Sequence, residues 1–378
     1  MDDVLIVGGG VVGLSIAYEL AARDLRVHLI DRGAPGGEAS WAGAGILPPT
    51  HTATARHPIE KLAALSCELH PHWHDTLREE TGIDNGYRRC GGLYLSATED
   101  EAALADAALR AWQQEQVAVE RLSRGDLAAF EPALASDDLA EPAALYLPGE
   151  AQIRNPWHLK ALIAACTARG VRMTAGLAAE DFEQRGERVT GVVTTTGTLR
   201  AGRVCITTGA WTRGLLARLE AHVAIRPIRG QMLLLSTPRP LLSRIVNHGP
   251  RYIVPRPDGC TLVGSTEEDV GFDKRTTGEG VAGLLQFALG RVKGLADAKF
   301  ERSWAGLRPE TVDRLPILGR LAGWENVFVA AGHFRSGLLL SPGTARVMGQ
   351  LLAGETPEID LAPLGPQRDG AVSGQRHV

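Results

Sequence analysis

The run Val4-Leu5-Ile6-Val7-Gly8-Gly9-Gly10-Val11-Val12-Gly13, closed about twenty residues later by Asp31, leaves this chain few folds to choose from. Val4 to Val7 carry no charge, as a parallel strand covered on both faces should. Gly8 permits a turn that a side chain would forbid. Gly10 lets backbone approach a diphosphate, and Gly13 lets the following helix sit close on the strand. That helix puts Val12, Ile16, Ala17, Leu20 and Ala21 on its apolar face, and its N-terminal amides with their positive dipole end point at the phosphate. Arg26 to Ile30 form a second strand, where Asp31 would accept hydrogen bonds from an adenosine ribose and repel a 2′-phosphate. A glycine triplet alone is weak. Strand, glycines, helix, strand and acid in register predict a dinucleotide-binding βαβ unit.

The chain's 378 residues allow two domains or one large one. A net charge of −4 offers no footprint for nucleic acid or an anionic membrane. Cys67, Cys90, Cys166, Cys205 and Cys260 show no paired spacing, so neither a disulfide framework nor a zinc site is indicated, and a cytoplasmic location with reduced thiols is expected. The apolar start follows Asp2 and Asp3 and is broken by glycines, unlike a signal peptide. No stretch approaches the length of a membrane span.

Beyond Asp31, residues 33–49 are rich in Gly and Ala, which forfeits packing and suggests main chain wrapped closely round a ligand. His57 to Thr81 read as a helix with Leu62, Leu65, Leu69, Trp73 and Leu77 on one face. His70 and His74 share a face of it, and without accompanying carboxylates they read as helix surface and not as a metal site. Gly86 to Ala97 read as a strand or hairpin, and a charged helix runs from Glu99 to about Gln116. Pro148 and Gly149 mark a crossing before a helix begun by Pro156. Val204 to Ile206, running into Thr207-Thr208-Gly209, read as a strand returning to the first sheet. From Val223 to Arg302 the alternation predicts an antiparallel sheet covered by a helix from Thr277 to Val292. Val327 to Gly332 are one more buried strand, followed by a helix from Gly337 to Leu352.

Either NAD or FAD suits the opening unit, and two features favour FAD. The small-residue loop suits an extended cofactor that stays bound. Gly332-His333-Phe334-Arg335-Ser336-Gly337 supplies a second helix start, whose positive end would stabilise charge gained by a flavin on reduction.

These residues, with Ala39 to Leu47, Tyr252 to Arg256, Trp304 to Pro309, Asp313, Leu315 to Gly319 and Gly332 to Leu340, resemble the D-amino-acid oxidase superfamily of flavoproteins. Within it the chain is most similar to the glycine oxidases of thiamine biosynthesis, over roughly residues 1–355. The resemblance implies an α/β fold with a Rossmann-like FAD-binding domain (1–84, 150–222 and 300–364) and a substrate domain on an antiparallel sheet (85–149 and 223–299), while the polar, Gly-containing stretch 365–378 reads as a disordered tail. It implies noncovalent FAD held by Gly8, Gly10, Val11, Val12, Gly13, Asp31, Arg32, Ala39, Ser40, Ala44, Gly45, Ile46, Ala179 and the run His333, Phe334, Arg335, Ser336, Gly337, Leu338 and Leu339. Gly209 joins them from the strand that ends in Thr-Gly. Tyr252, Arg308, Arg335 and Ile46 are placed at the substrate, where arginine and tyrosine would hold a carboxylate. Ile46 stands where those glycine oxidases carry Met, and Asp31 where Glu is common.

The expected reaction is oxidation of glycine or another small amino acid or amine to its imine. Hydride passes to the flavin, dioxygen is reduced to peroxide, and positioning replaces any acid–base side chain. A homo-oligomer is expected, with no nucleic-acid, membrane or metal partner. A dehydrogenase of the same fold with another electron acceptor, and a nucleotide-binding scaffold without redox activity, are the alternatives.

Overall fold

The computed structural model describes residues 2–50 and 53–372. Its organising layer is a six-stranded sheet in the order Ile317–Arg320, Val327–Ala331, Ala201–Ile206, Asp2–Val7, Val27–Ile30 and Arg172–Thr174. All neighbours are parallel except the first pair. The uncharged run Val4 to Val7 is explained by its two covered faces. Val4 and Ile6 pack into one core with the helices Val11–Ala21, Pro58–Thr81, Asn155–Ala168 and Gly337–Ala353. Leu5 and Val7 point the other way, into a core closed by the small sheet Ala179–Arg185, Arg188–Thr194 and Gly197–Leu199. Successive strand residues alternate between faces, and each apolar side chain so buried contributes about 1.5–3 kcal/mol before the entropy of ordering it.

The expected helix contact is close. Gly13 has its Cα over the turn, where a Cβ would overlap the carbonyl oxygen of Gly8, and Gly8 has φ 112°, a conformation that excludes side chains. Tight glycine packing and a left-handed turn therefore fix where this helix begins.

The second layer is an eight-stranded sheet ordered Lys299–Thr311, Ile225–Ser236, Cys260–Gly264, Arg251–Pro255, Ile245–His248, Gly92–Leu95, Ala144–Leu147 and Glu120–Leu122. Its neighbours are antiparallel apart from Ile245–His248 beside Gly92–Leu95. Leu233, Leu235, Ile253 and Val263 face a core under the helix Gly278–Arg291, and Met232, Tyr252 and Val254 face the opposite way. One register row crosses six strands as Trp304, Met232, Gly264, Tyr252, Asn247 and Tyr94.

Two expected boundaries need correction. Lys299–Thr311 lies in the eight-stranded sheet, hydrogen-bonded along Ile225–Ser236, and not with the nucleotide-binding layer to which 300–364 was assigned. Residues 365–371 are packed rather than disordered: Ala371 is buried, and Arg368 pairs with Asp313 at 2.8 Å while donating to the Leu315 carbonyl. The remaining tail, 373–378, lies outside the described residues. Among the described residues no helix is long and apolar enough to cross a membrane.

Candidate flavin and substrate site

Between the carboxyl ends of the six-stranded sheet and the inner face of the eight-stranded one lies a cavity of about 1140 Å³. That exceeds the ~300–1,000 Å³ usual for one drug-sized guest, so it has room for a dinucleotide with a small molecule beside it. Two helix starts open into it. At the first, Gly10 precedes Val11–Ala21, and the Val11 N–H donates to Ser40 Oγ at 2.9 Å. At the second, Ser336 precedes Gly337–Ala353, whose first residues Gly337, Leu338 and Leu339 line the cavity. The leading N–H groups of a helix have no intrahelical acceptor and carry its positive end, so each mouth favours negative charge.

The acid end is built from Asp31. Its Oδ2 accepts from Gly9 N–H and its Oδ1 from Gly33 N–H, both at 2.7 Å, which fixes the carboxylate beside the glycine turn with lone pairs to spare. Arg32 lies over the Trp211 ring at 3.7 Å and pairs with Glu38 at 3.0 Å. Trp211 escaped the sequence reading because nothing in its local pattern distinguishes it from an ordinary packing residue.

The small-residue loop is pinned, not loose. Ala39–Ala42 form a helical turn, and Trp304 Nε1 donates to the Ala42 carbonyl at 3.1 Å. Arg256, buried, donates to the carbonyls of Ala44 (2.8 Å) and Ile153 (3.1 Å) and to Gln152 Oε1 (2.6 Å). Burial lowers its pKa to about 10, so it stays charged at neutral pH. Asn155 braces the loop from the other side, giving its amide N–H to the Ser40 carbonyl at 2.9 Å. Its buried Oδ1 finds no partner among the described residues, and the residue borders the cavity.

At the far end, Arg308 donates to the Thr266 carbonyl (3.1 Å) and to Ser265 Oγ (2.6 Å). Burial pulls its pKa down, with the nearby Tyr252 acting in the opposite sense and Arg335 in the same one. The Tyr252 hydroxyl lies 3.1 Å from Met232 Sδ. Arg335 is more exposed and pairs with Glu267 at 3.3 Å. His333 is buried against Thr344 Oγ1 at 3.1 Å, and burial drives its pKa to about 4, so it is neutral.

The family model for FAD dependent oxidoreductases (DAO) matches residues 3–351. The chain belongs to this family. The glycine oxidase of Geobacillus kaustophilus is 37% identical over 97% of this chain and 97% of its own length. Its crystal structure superposes with a TM-score of 0.92, covering 97% of this chain and 98% of that one. The bifunctional protein ThiO/ThiG of Trichormus variabilis is 33% identical over 93% of this chain, which spans 52% of that protein.

As an FAD-dependent oxidoreductase the chain has residues that fit its cofactor. The two helix mouths, the Asp31 carboxylate, the unpartnered Asn155 Oδ1 and the glycine turn supply donors and acceptors of the kinds an FAD presents. Every residue expected at FAD or substrate borders this one cavity except Gly13, which packs behind the turn. Tyr94, Asn247 and Met232 border it too and were missed. They become neighbours of Tyr252 only through strand pairings that bring residues 94 and 252 into one row.

The helix-surface expectation for His70 and His74 also needs correction. His70 is buried, with Nε2 2.9 Å from the Leu339 carbonyl, and His74 Nδ1 lies 2.7 Å from Asn85 Oδ1. The helix bearing them is sandwiched against Gly337–Ala353, so a face that reads as polar is interior.

Proposed function

We propose that this FAD-dependent oxidoreductase oxidises glycine, or a similarly small amino acid or amine, to the imine, which water hydrolyses to the 2-oxo acid and ammonia. The observation that carries the reading is that Arg308 and Tyr252, which act on one another electrostatically, border the same cavity as the second helix mouth. When bound, FAD would supply the hydride acceptor, with dioxygen as the final electron acceptor and hydrogen peroxide as its product.

Arg308 and Tyr252 hold the substrate carboxylate with charge-assisted donors, and Arg335 adds positive charge at the cavity edge. The carbonyl of Thr266 and the hydroxyl of Ser265 fix the Arg308 guanidinium, so its fork is preorganised. Met232 and Ile46 narrow the wall round the substrate carbon. Gly8, Gly10, Val11, Val12, Asp31, Arg32, Ala39, Ser40, Ala44, Gly45, Ala179, Gly209 and residues 333–339 hold the cofactor, with Gly13 behind them. Rate then comes chiefly from orientation.

The reading includes a place in thiamine biosynthesis, where the imine would feed thiazole formation. A cytoplasmic homo-oligomer belongs to the same reading, and five free thiols suit that compartment. Pure protein supplied with glycine, sarcosine and D-alanine under air should release peroxide. Flavin that these amines reduce but that dioxygen reoxidises only slowly would favour the dehydrogenase alternative.

A further inference from the structure

Beside the Tyr252 and Arg308 pair, the register row continues to a polar group that amino-acid oxidation as described leaves idle. Glu150 follows the strand Ala144–Leu147 and is 0% exposed. Its Oε2 accepts the Tyr94 hydroxyl at 2.6 Å and its Oε1 accepts the Asn247 amide at 3.1 Å. Gly92 leaves the room, since a Cβ there would overlap this carboxylate. Among the described residues, and apart from burial, Tyr94 from one strand and Asn247 from the next are what act on the Glu150 carboxyl, and neither brings a positive charge.

A buried carboxylate without a counter-ion is expensive, and being acceptor-only it dictates how its neighbours point. Tyr94 donates its one O–H to Glu150, so only oxygen lone pairs remain to offer elsewhere. Asn247 has turned its amide nitrogen inward, which leaves Oδ1 to face away. Both residues border the cavity. Tyr252 and Arg308, on the same wall, offer donors. Donors for a carboxylate therefore stand next to acceptors for an ammonium.

We propose that Tyr94 and Glu150 form a proton relay that neutralises the substrate's ammonium before oxidation. The inference rests on the amino-acid reading given above. One ammonium N–H bond breaks as its proton passes to Tyr94 Oη, and the original Tyr94 O–H bond breaks as that proton passes to Glu150 Oε2. The amine is left uncharged with its lone pair free, Glu150 becomes a carboxylic acid, and no electron leaves the complex. A free nitrogen lone pair is what stabilises positive charge on the substrate carbon as hydride departs.

Burial raises Glu150 to about 7, so the relay can accept a proton above that pH and is already filled below it. Tyr94, whose own pKa is pushed well above the usual by burial and by the carboxylate, remains a hydroxyl throughout. The relay is a relocation of charge within one buried chain of hydrogen bonds.

The test follows anaerobic reduction of the flavin-loaded enzyme by glycine, from about pH 5 to about pH 10, in the natural protein, Tyr94→Phe and Glu150→Gln. The natural protein should lose rate below about pH 7, and each variant should be at least ~10-fold slower at neutral pH. The variants should gain about tenfold per pH unit and approach the natural rate where glycine is itself deprotonated in solution. A second readout needs no turnover: glycine added to dithionite-reduced enzyme should raise a carboxylic-acid band in the infrared difference spectrum, absent in Tyr94→Phe. Variant profiles superposing on the natural one would overturn the relay and leave the oxidase reading standing. A natural protein whose flavin no small amine reduces would overturn both.

Discussion

The guanidinium of Arg308 occupies the space that a side chain on Gly230 would fill, one strand across the sheet. A bare Cα on Ile225–Ser236 thus lets a long cation on Lys299–Thr311 fold back along the cavity wall. Gly230→Ala should push that flexible head aside while leaving the backbone in place. We expect KM for glycine to rise ~10–100-fold, the loss of a charge-assisted contact, with FAD content unchanged. Steady-state kinetics with a flavin spectrum on the same sample check this.

The two arginines should differ. Arg308 donates to two neutral groups, the Thr266 carbonyl and the Ser265 hydroxyl, and feels Glu267 only through space, so more of its charge is left for a guest. Arg335 spends part of its charge on Glu267 in a partly exposed pair. Arg308→Ala should therefore raise KM by ~10–100-fold, and Arg335→Ala by less. Dissociation constants for a carboxylate without an amine, such as acetate, should move in the same order. A larger effect at Arg335 would reverse the assignment.

Asp31 holds the glycine turn through Gly9 N–H and its own following loop through Gly33 N–H, and also faces the cavity. Asp31→Ala removes both anchors and the ribose acceptor. FAD should bind ~10–100-fold more weakly, because hydrogen bonds to a charged group are worth ~1.5–3 kcal/mol each. Flavin retained after gel filtration, with apo-protein titrated by FAD, measures it.

Much of this was legible beforehand, and the reason lies in sequence distance. Val4 to Asp31 form one local unit, where strand alternation, turn glycines and helix period act over a few residues, so its geometry follows from neighbours. Tyr94, Asn247 and Trp211 carry no such signal. Tyr94 meets Asn247 because Gly92–Leu95 pairs in parallel with Ile245–His248, a register that depends on the whole eight-stranded sheet. The tail misled for a related reason: Arg368 finds Asp313 and the Leu315 carbonyl fifty-odd residues back, while its own neighbourhood is polar and Gly-containing.

Stability should have a maximum set by opposed groups. His70, His158 and His333 are buried, and burial lowers their pKa values to about 4, about 3 and about 4, with His70 adding to the effect on His158. Unfolded imidazoles titrate near ~6.5, so as pH falls from there the unfolded chain takes protons the folded one refuses, and stability drops. Glu150 acts in reverse: its folded pKa, about 7, lies above an unfolded value near ~4.3, so stability is lost as pH rises through that window. Glu150→Gln removes the opposing contribution, so melting temperature should rise more steeply with pH between ~4.3 and ~6.5, while the loss on acidification from ~6.5 downward, which belongs to the histidines, stays in place. Melting curves across pH test both halves.

The most direct measurement is the absorbance spectrum of the purified protein before and after anaerobic addition of glycine. The account predicts the two bands of oxidised flavin at the outset, bleached by glycine and restored by air with one peroxide released per flavin. A protein that carries no flavin and takes up none when FAD is supplied, or one whose flavin stays oxidised with glycine and every other small amino acid or amine, would contradict it.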